Sequence, residues 1–264
     1  MVRRPLGNDR RGPDTQLVDS ETTEAELVTE TNGALGDLVA RVRHVVFDFD
    51  GPICLLFPGD SAERVARDQV NWLEERGLSG LLTEQERDHP DPHLVLSAVA
   101  GRHPGSDLVA ELEELLTQQE LRKVPRAWPT PYAYPLIRTW VAVGARMAIA
   151  TNNSSRAVRK YLADRELTDC FAPHIYGRTQ DLSLLKPHPH TLQRALNAMG
   201  AAPDSSVMIG DSPTDYAAAR EMGMAFIGYA RNEEVGKGLL EAGVAPQYVV
   251  ESLDRLLHVV RGRS

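Results

Sequence analysis

The sequence is short of the features that would place it outside the cell, in a membrane or on a nucleic acid. Two cysteines, Cys54 and Cys170, in 264 residues cannot build the dense disulfide frame of a small secreted domain, and no CxxC spacing points to zinc. A reducing cytoplasm is the expected location. Long hydrophobic runs are missing too. The most apolar stretch, residues 141–150, is interrupted by Arg146 and falls well below the roughly 18 to 20 apolar residues that span a bilayer. The opening MVRRPLGNDRRGP is basic but has no apolar stretch behind it, so no signal peptide is expected. Positive charge is not in excess: 29 Lys+Arg against 37 Asp+Glu leave −8. That balance repels a nucleic-acid backbone or an anionic membrane surface, which leaves a small molecule or another protein as partner.

A composition of 42% hydrophobic and 25% charged residues is that of an ordinary globular protein, and the length suits one large domain or two small ones. Residues 12–40 carry seven acidic residues, no basic one and no aromatic. Residues 1–40 are therefore read as a disordered acidic tail, with room for a short helix near residues 24–28. At His44 the pattern changes to HVVFDFD, an apolar run that ends in two acids and Gly-Pro, as a buried strand meeting a turn does. Further strand-like segments at 146–151, 173–176, 206–210, 224–228 and 248–250 alternate with helix-compatible stretches at 154–162, 189–199, 213–222, 233–241 and 253–260. That alternation predicts an α/β fold around a parallel sheet.

Between the first two strands lie about ninety residues with no convincing strand, too many for a plain connection. Asp60 and Glu63 suggest a capping box for a helix that Gly77 stops, and a second helix is predicted over residues 106–123, with Leu108, Leu112, Leu115 and Leu116 opposite Glu111, Glu113 and Glu114. The expected organisation is a core of residues 41–58 and 134–264 with a helical insert over 59–133.

Four short motifs stand at strand ends, where open α/β sheets bind ligands. Asp48-Phe49-Asp50-Gly51 puts two carboxylates where a strand breaks into a turn, so both can converge on one metal and one substrate, and Gly51 permits the sharp exit. Thr151-Asn152-Asn153-Ser154 offers hydroxyl and amide groups at a helix start, whose unpaired N–H groups suit an anion. N-capping by Ser154 accounts for those residues equally well. Lys186-Pro187-His188-Pro189 holds a compact positive charge that offsets carboxylates and phosphate oxygens. Gly210-Asp211-Ser212-Pro213-Thr214-Asp215 follows the strand SVMI and opens a helix with proline in its first turn.

In this order the four motifs, spanning Asp48 to Asp215, resemble those of the haloacid dehalogenase-like hydrolase superfamily. A helical insert straight after the first motif is similar to the branch that includes phosphoglycolate phosphatases, β-phosphoglucomutases, phosphonatases and dehalogenases. The resemblance implies a Rossmann-like parallel sheet with helices on both faces and a small α-helical cap formed by the insert. It implies that Asp48 is the nucleophile that attacks phosphorus and Asp50 the general acid/base, while Thr151, Asn152 and Lys186 hold the phosphoryl group. Mg2+ would be held by Asp48, Asp50 through its backbone carbonyl, Asp211 and, through water or Lys186, Asp215. The implied activity is Mg2+-dependent hydrolysis of a small phosphorylated metabolite through an aspartyl-phosphate, with no nucleic acid and no membrane involved. The chemistry is self-consistent: a carboxylate nucleophile splits one hard hydrolysis into two displacements, and a hard divalent cation with oxygen ligands relieves the repulsion between two anions.

Within this resemblance a dehalogenase is disfavoured, since that branch lacks the second carboxylate that Asp50 supplies. A phosphonatase needs a Schiff-base lysine in the cap, where Lys123 is the only lysine. A phosphomutase, and a non-catalytic binding or regulatory module on the same fold, stay open. The chain departs from the family at Pro52, where threonine is common. His89 and His93 in DHPDPH, with Asp88 and Asp91, have metal-ligand character, but the prolines there predict an exposed loop. Arg102, Arg122, Lys123, Arg126 and Trp128 lie in the insert or its return linker within reach of a substrate, yet charged helix faces are usually solvated and none is nominated. Cys54 is read as a packing residue.

Overall fold

A computed structural model describes residues 33–59 and 61–262. Residues 33–41 form a first helix, α1, and bury Leu35, Leu38 and Val39. The end of the expected tail is thereby corrected: these three apolar residues share one helical face, and their burial ties residues 33–40 to the core. The possible helix near residues 24–28 and the capping role of Asp60 lie outside the described residues.

In chain order there follow β1 (His44–Phe47), β2 (Cys54–Leu55), α2 (Ser61–Glu74), α3 (Glu84–Arg87), α4 (Pro92–Arg102), α5 (Asp107–Lys123), β3 (Trp128–Pro129) and α6 (Ala133–Ala142). The second half contains β4 (Arg146–Ala150), α7 (Ser155–Asp164), α8 (Thr168–Phe171), β5 (Ile175–Tyr176), α9 (His190–Met199), β6 (Ser206–Gly210), α10 (Pro213–Glu221), β7 (Ala225–Tyr229), α11 (Glu233–Glu241), β8 (Val249–Val250) and α12 (Leu253–Arg261). Six of the strands form one parallel sheet in the order β5-β4-β1-β6-β7-β8.

Alternate residues of the central strands feed two apolar layers. Val45, Phe47, Met147, Ile149, Val207 and Ile209 face one side with residues of α6, α7 and α12. Val46, Ala148, Ala150 and Met208 face the other with residues of α9, α10 and α11. Burial on both faces explains why these strands read as continuous apolar runs. From β1 the chain builds outward through β4 and β5, then returns to lay β6 on the other side of β1. The strand order reverses there, and the crevice at such a switch point is where ligands bind in open α/β sheets.

The segment after β1 is helical. Helices α2, α4 and α5 pack on one another through Val65, Leu73, Val95, Val99, Leu112 and Leu116, and their apolar residues continue into the layer on one sheet face. Ser106 caps α5, its hydroxyl accepting from Val109 N–H at 3.4 Å. Two elements here depart from the sequence reading. The DHPDPH stretch is an exposed loop only as far as Asp91 and then starts a helix: Asp91 accepts from His93 N–H at 2.9 Å and Pro92 takes the first turn, where its missing N–H costs nothing. The segment leaves and rejoins the sheet through an antiparallel pair, Cys54 opposite Pro129 and Leu55 opposite Trp128, too short to show periodicity. Among the described residues no helix is long and apolar enough to cross a membrane.

Candidate active site

The sheet delivers four of the motif side chains to one point. Asp48 extends β1 by one residue, its N–H donating to Ile209 O at 2.9 Å. The chain then turns at Gly51, whose φ is +107° and where a Cβ would lie 2.3 Å from the Asp211 carboxylate; only glycine fits so close to the neighbouring strand end. Asp215, in the first turn of α10, accepts from Asp211 N–H and Ser212 N–H at 3.2 Å each. Lys186 reaches between strand ends, its Nζ 2.8 Å from Asp48 Oδ1, 2.6 Å from Asp215 Oδ1 and 3.0 Å from Ala150 O. Asp48, Asp211 and Asp215 each offer a carboxylate oxygen within 4.8 Å of the others. An all-carboxylate set of this kind suits a hard divalent cation such as Mg2+. Arg231, from the loop after β7, is ion-paired with Asp211.

Burial raises the pKa of Asp48 against the pull of Lys186, with Asp215 adding to the rise. Burial favours loss of the Lys186 proton, but Asp215 and Asp48 outweigh it and raise that pKa, so the ammonium persists. Asp50 sits apart from the three-carboxylate cluster and accepts from Leu56 N–H at 2.8 Å. Burial pushes its carboxyl up to about 6, against that hydrogen bond and with help from the nearby Asp48 charge.

The helical segment closes the other side. Glu120 of α5 is wholly buried, accepting from Ser154 N–H at 2.9 Å, Asn153 Nδ2 at 3.1 Å and Arg178 at 3.0 and 3.3 Å. The buried Arg178 also donates to Glu113 at 2.9 Å, Thr117 Oγ1 at 3.0 Å and Asn152 O at 2.9 Å. His93 of α4 lies 3.3 Å from Asp91 and 3.7 Å from Glu120. Burial opposes charge on His93, but Asp91 and Glu120 raise its pKa to about 9. Burial likewise opposes charge on Glu120, but Arg178 and His93 hold it at about 2. A cavity of about 930 Å³ lies between, lined by Asp48, Asp50, Thr151, Lys186 and Asp211 from the sheet side and by His93 and Ser97 from α4.

Residues 42–223 match the family model of the haloacid dehalogenase-like hydrolases, a span that includes all four motifs. The chain belongs to this family. It is 29% identical over 214 residues to a phosphoglycolate phosphatase of Rhodospirillum rubrum, covering 75% of this chain and 85% of that protein. It is 30% identical over 135 residues to a pyrophosphatase of Halalkalibacterium halodurans, covering 49% and 60%. Among solved structures, a protein from Clostridium acetobutylicum described as a predicted phosphatase shares the fold with a TM-score of 0.62 at 16% identity, covering 84% of this chain and 99% of that one.

In this haloacid dehalogenase-like chain Asp48, Lys186, Asp211 and Asp215 converge as a group, and Thr151 and Asp50 line the same cavity. The carboxylate of Asp50 is not one of the clustered three. Asn152, expected on the phosphoryl group, lines the same cavity, and its side chain also braces the lysine: its Oδ1 accepts from Lys186 N–H at 2.8 Å and its Nδ2 donates to Lys186 O at 3.2 Å. Glu120, Arg178 and Arg231 were not found from the sequence. Glu113, Thr117 and Glu120 recur at i, i+4 and i+7, a polar stripe that was the available signal. Glu113, which the sequence places opposite the apolar face of its helix, pairs with the buried Arg178.

Proposed function

We propose that this chain is a Mg2+-dependent phosphatase that hydrolyses a small phosphorylated metabolite through an aspartyl-phosphate on Asp48, working in a reducing cytoplasm. One observation carries the reading: the Lys186 ammonium is held between Asp48 and Asp215 at 2.8 and 2.6 Å, where three carboxylates meet in a cavity large enough for a metabolite. The Asp48 carboxylate attacks phosphorus while Asp50 protonates the leaving oxygen. Asp50 then takes a proton from the water that attacks the aspartyl-phosphate, which releases phosphate and restores Asp48. Acid–base help of this kind contributes about 10² to 10⁴-fold. Lys186 and Thr151 hold the phosphoryl oxygens, and Asn152 fixes Lys186. Mg2+, when bound by Asp48 and Asp211 near Asp215, supplies positive charge that relieves repulsion between nucleophile and phosphate.

The segment 59–133 acts as a cap over a core made of 41–58 and 134–264, with α1 added to that core. His93 and Ser97 on the cavity wall support this assignment. Phosphoglycolate and pyrophosphate, which the relatives' names indicate, head the candidate substrates. The test is a panel of these and of sugar phosphates, scored for phosphate release with Mg2+ and with EDTA. Release that depends on Mg2+ is expected. Full activity in EDTA would sink the mechanism, release from none by the folded protein would favour a regulatory module, and sugar phosphate interconversion without release would indicate a mutase.

A further inference from the structure

Arg122, Lys123 and Arg126 do not face the catalytic cavity. They line a separate one of about 390 Å³ between α2 and the end of α5, and the two cavities share no lining residue. Helix α2 contributes Arg64 and Arg67, so five cationic side chains surround this space. Arg67 is paired with Glu63, and Asp68, the acid on this wall, accepts from the buried Gln119 at 3.1 Å. Among the described residues no carboxylate lies within 4 Å of Arg122, Lys123 or Arg126. Repulsion among like charges held on two packed helices is unfavourable, and a chain of net charge −8 has carboxylates enough to neutralise them elsewhere on its surface.

We propose that this cavity is a binding site for a small oligophosphate, an anion with two or three linked phosphate groups. Its volume is in the range of small-molecule sites. Guanidinium groups offer paired N–H donors that match phosphate oxygens, and here they come from two walls and the turn Val124–Arg126, so several phosphates can be bridged at once. An extended nucleic acid is disfavoured, since the cations are gathered in a recess and the chain as a whole carries −8.

The test is titration calorimetry of the full chain with sodium tripolyphosphate and, in a second arm, ATP, in metal-free buffer at low salt. One-to-one binding is expected, weakening as salt is raised. Arg122→Gln/Arg126→Gln should raise the Kd at least tenfold while thermal stability and turnover of a phosphomonoester are kept. Arg64→Gln should weaken binding in the same direction, and Lys186→Gln should change it less than twofold. ATP binding like tripolyphosphate would show that the phosphate chain is what is read; ATP binding more tightly, with the gain lost in the double variant, would identify a nucleotide oligophosphate. An unchanged Kd in the double variant would overturn the proposal. So would loss of binding in Lys186→Gln, which would place the anion in the catalytic cavity, or tighter binding of a single-stranded oligonucleotide than of either small anion.

Discussion

Glu120→Leu leaves the Arg178 guanidinium, which has no exposed side-chain surface, with Glu113 as its remaining carboxylate at 2.9 Å. Breaking a buried pair by removing one partner costs about 3–5 kcal/mol, and the retained Glu113 contact places this case near 3. Asn153 Nδ2 and Ser154 N–H also lose their acceptor, at about 1–3 kcal/mol each when buried. The losses overlap, so about 4 kcal/mol in total is expected, or a fall in melting temperature of roughly 10 °C for a chain of this size. Arg178→Met should cost a similar amount. The double variant removes both charges, so it should cost about 2–4 kcal/mol, well short of the sum, because neither ion is then left uncompensated. Urea midpoints followed by circular dichroism measure all three. Because Ser154 N–H and Asn153 adjoin Thr151, turnover should also fall at least tenfold, as displacement of a positioned group by 1 Å can cost about 10²-fold. Strictly additive stability losses, or a single variant costing under about 1 kcal/mol, would refute the network.

The same residues predict a pH profile. His93 is raised from 6.5 to about 9, so its contribution is complete below pH 6.5 and fades as pH rises through about 9; Glu120 is lowered from 4.5 to about 2, so its contribution is present above pH 4.5 and is lost as pH falls toward about 2. The urea midpoint should decline between pH 7 and 9.5, and a decline of equal size in His93→Gln would contradict this. Asp48→Asn should abolish phosphoryl transfer, whereas Asp50→Asn with an acidic phenol leaving group should give a burst near one equivalent and stall as aspartyl-phosphate, seen by rapid quench and intact mass; unaltered turnover in Asp50→Asn would reverse the assigned roles. Removing residues 1–32 should leave kcat and melting unchanged, but removing 1–41 exposes the pocket filled by Leu35, Leu38 and Val39 and should cost at least about 4 kcal/mol, measured by the same denaturation.

The sheet was legible in the sequence because its central strands are buried on both faces. HVVF, RMAIA and SVMIG therefore stand out as short apolar runs, and each ends in the acid or hydroxyl residue that the crevice uses. The order of the four motifs along the chain carried the family resemblance, and that resemblance grouped Asp48, Thr151, Lys186 and Asp211. Short or locally ambiguous elements were not legible: β2 and β3 have two residues each, and the prolines of DHPDPH suit a loop as well as a helix start. Helix α1 was hidden by the acidic segment before it, since its three apolar residues gain meaning only from the core they meet. Glu120 and Arg178 lie 58 positions apart, and the polar stripe of Glu113, Thr117 and Glu120 marks a face of α5 without saying whether water or a buried cation meets it. Only tertiary packing decides which charge loses its water, because that depends on what arrives from another part of the chain. The same holds for Arg64 and Arg126: each alone is an ordinary surface cation, and the packing of α2 against α5 is what makes them two walls of one recess.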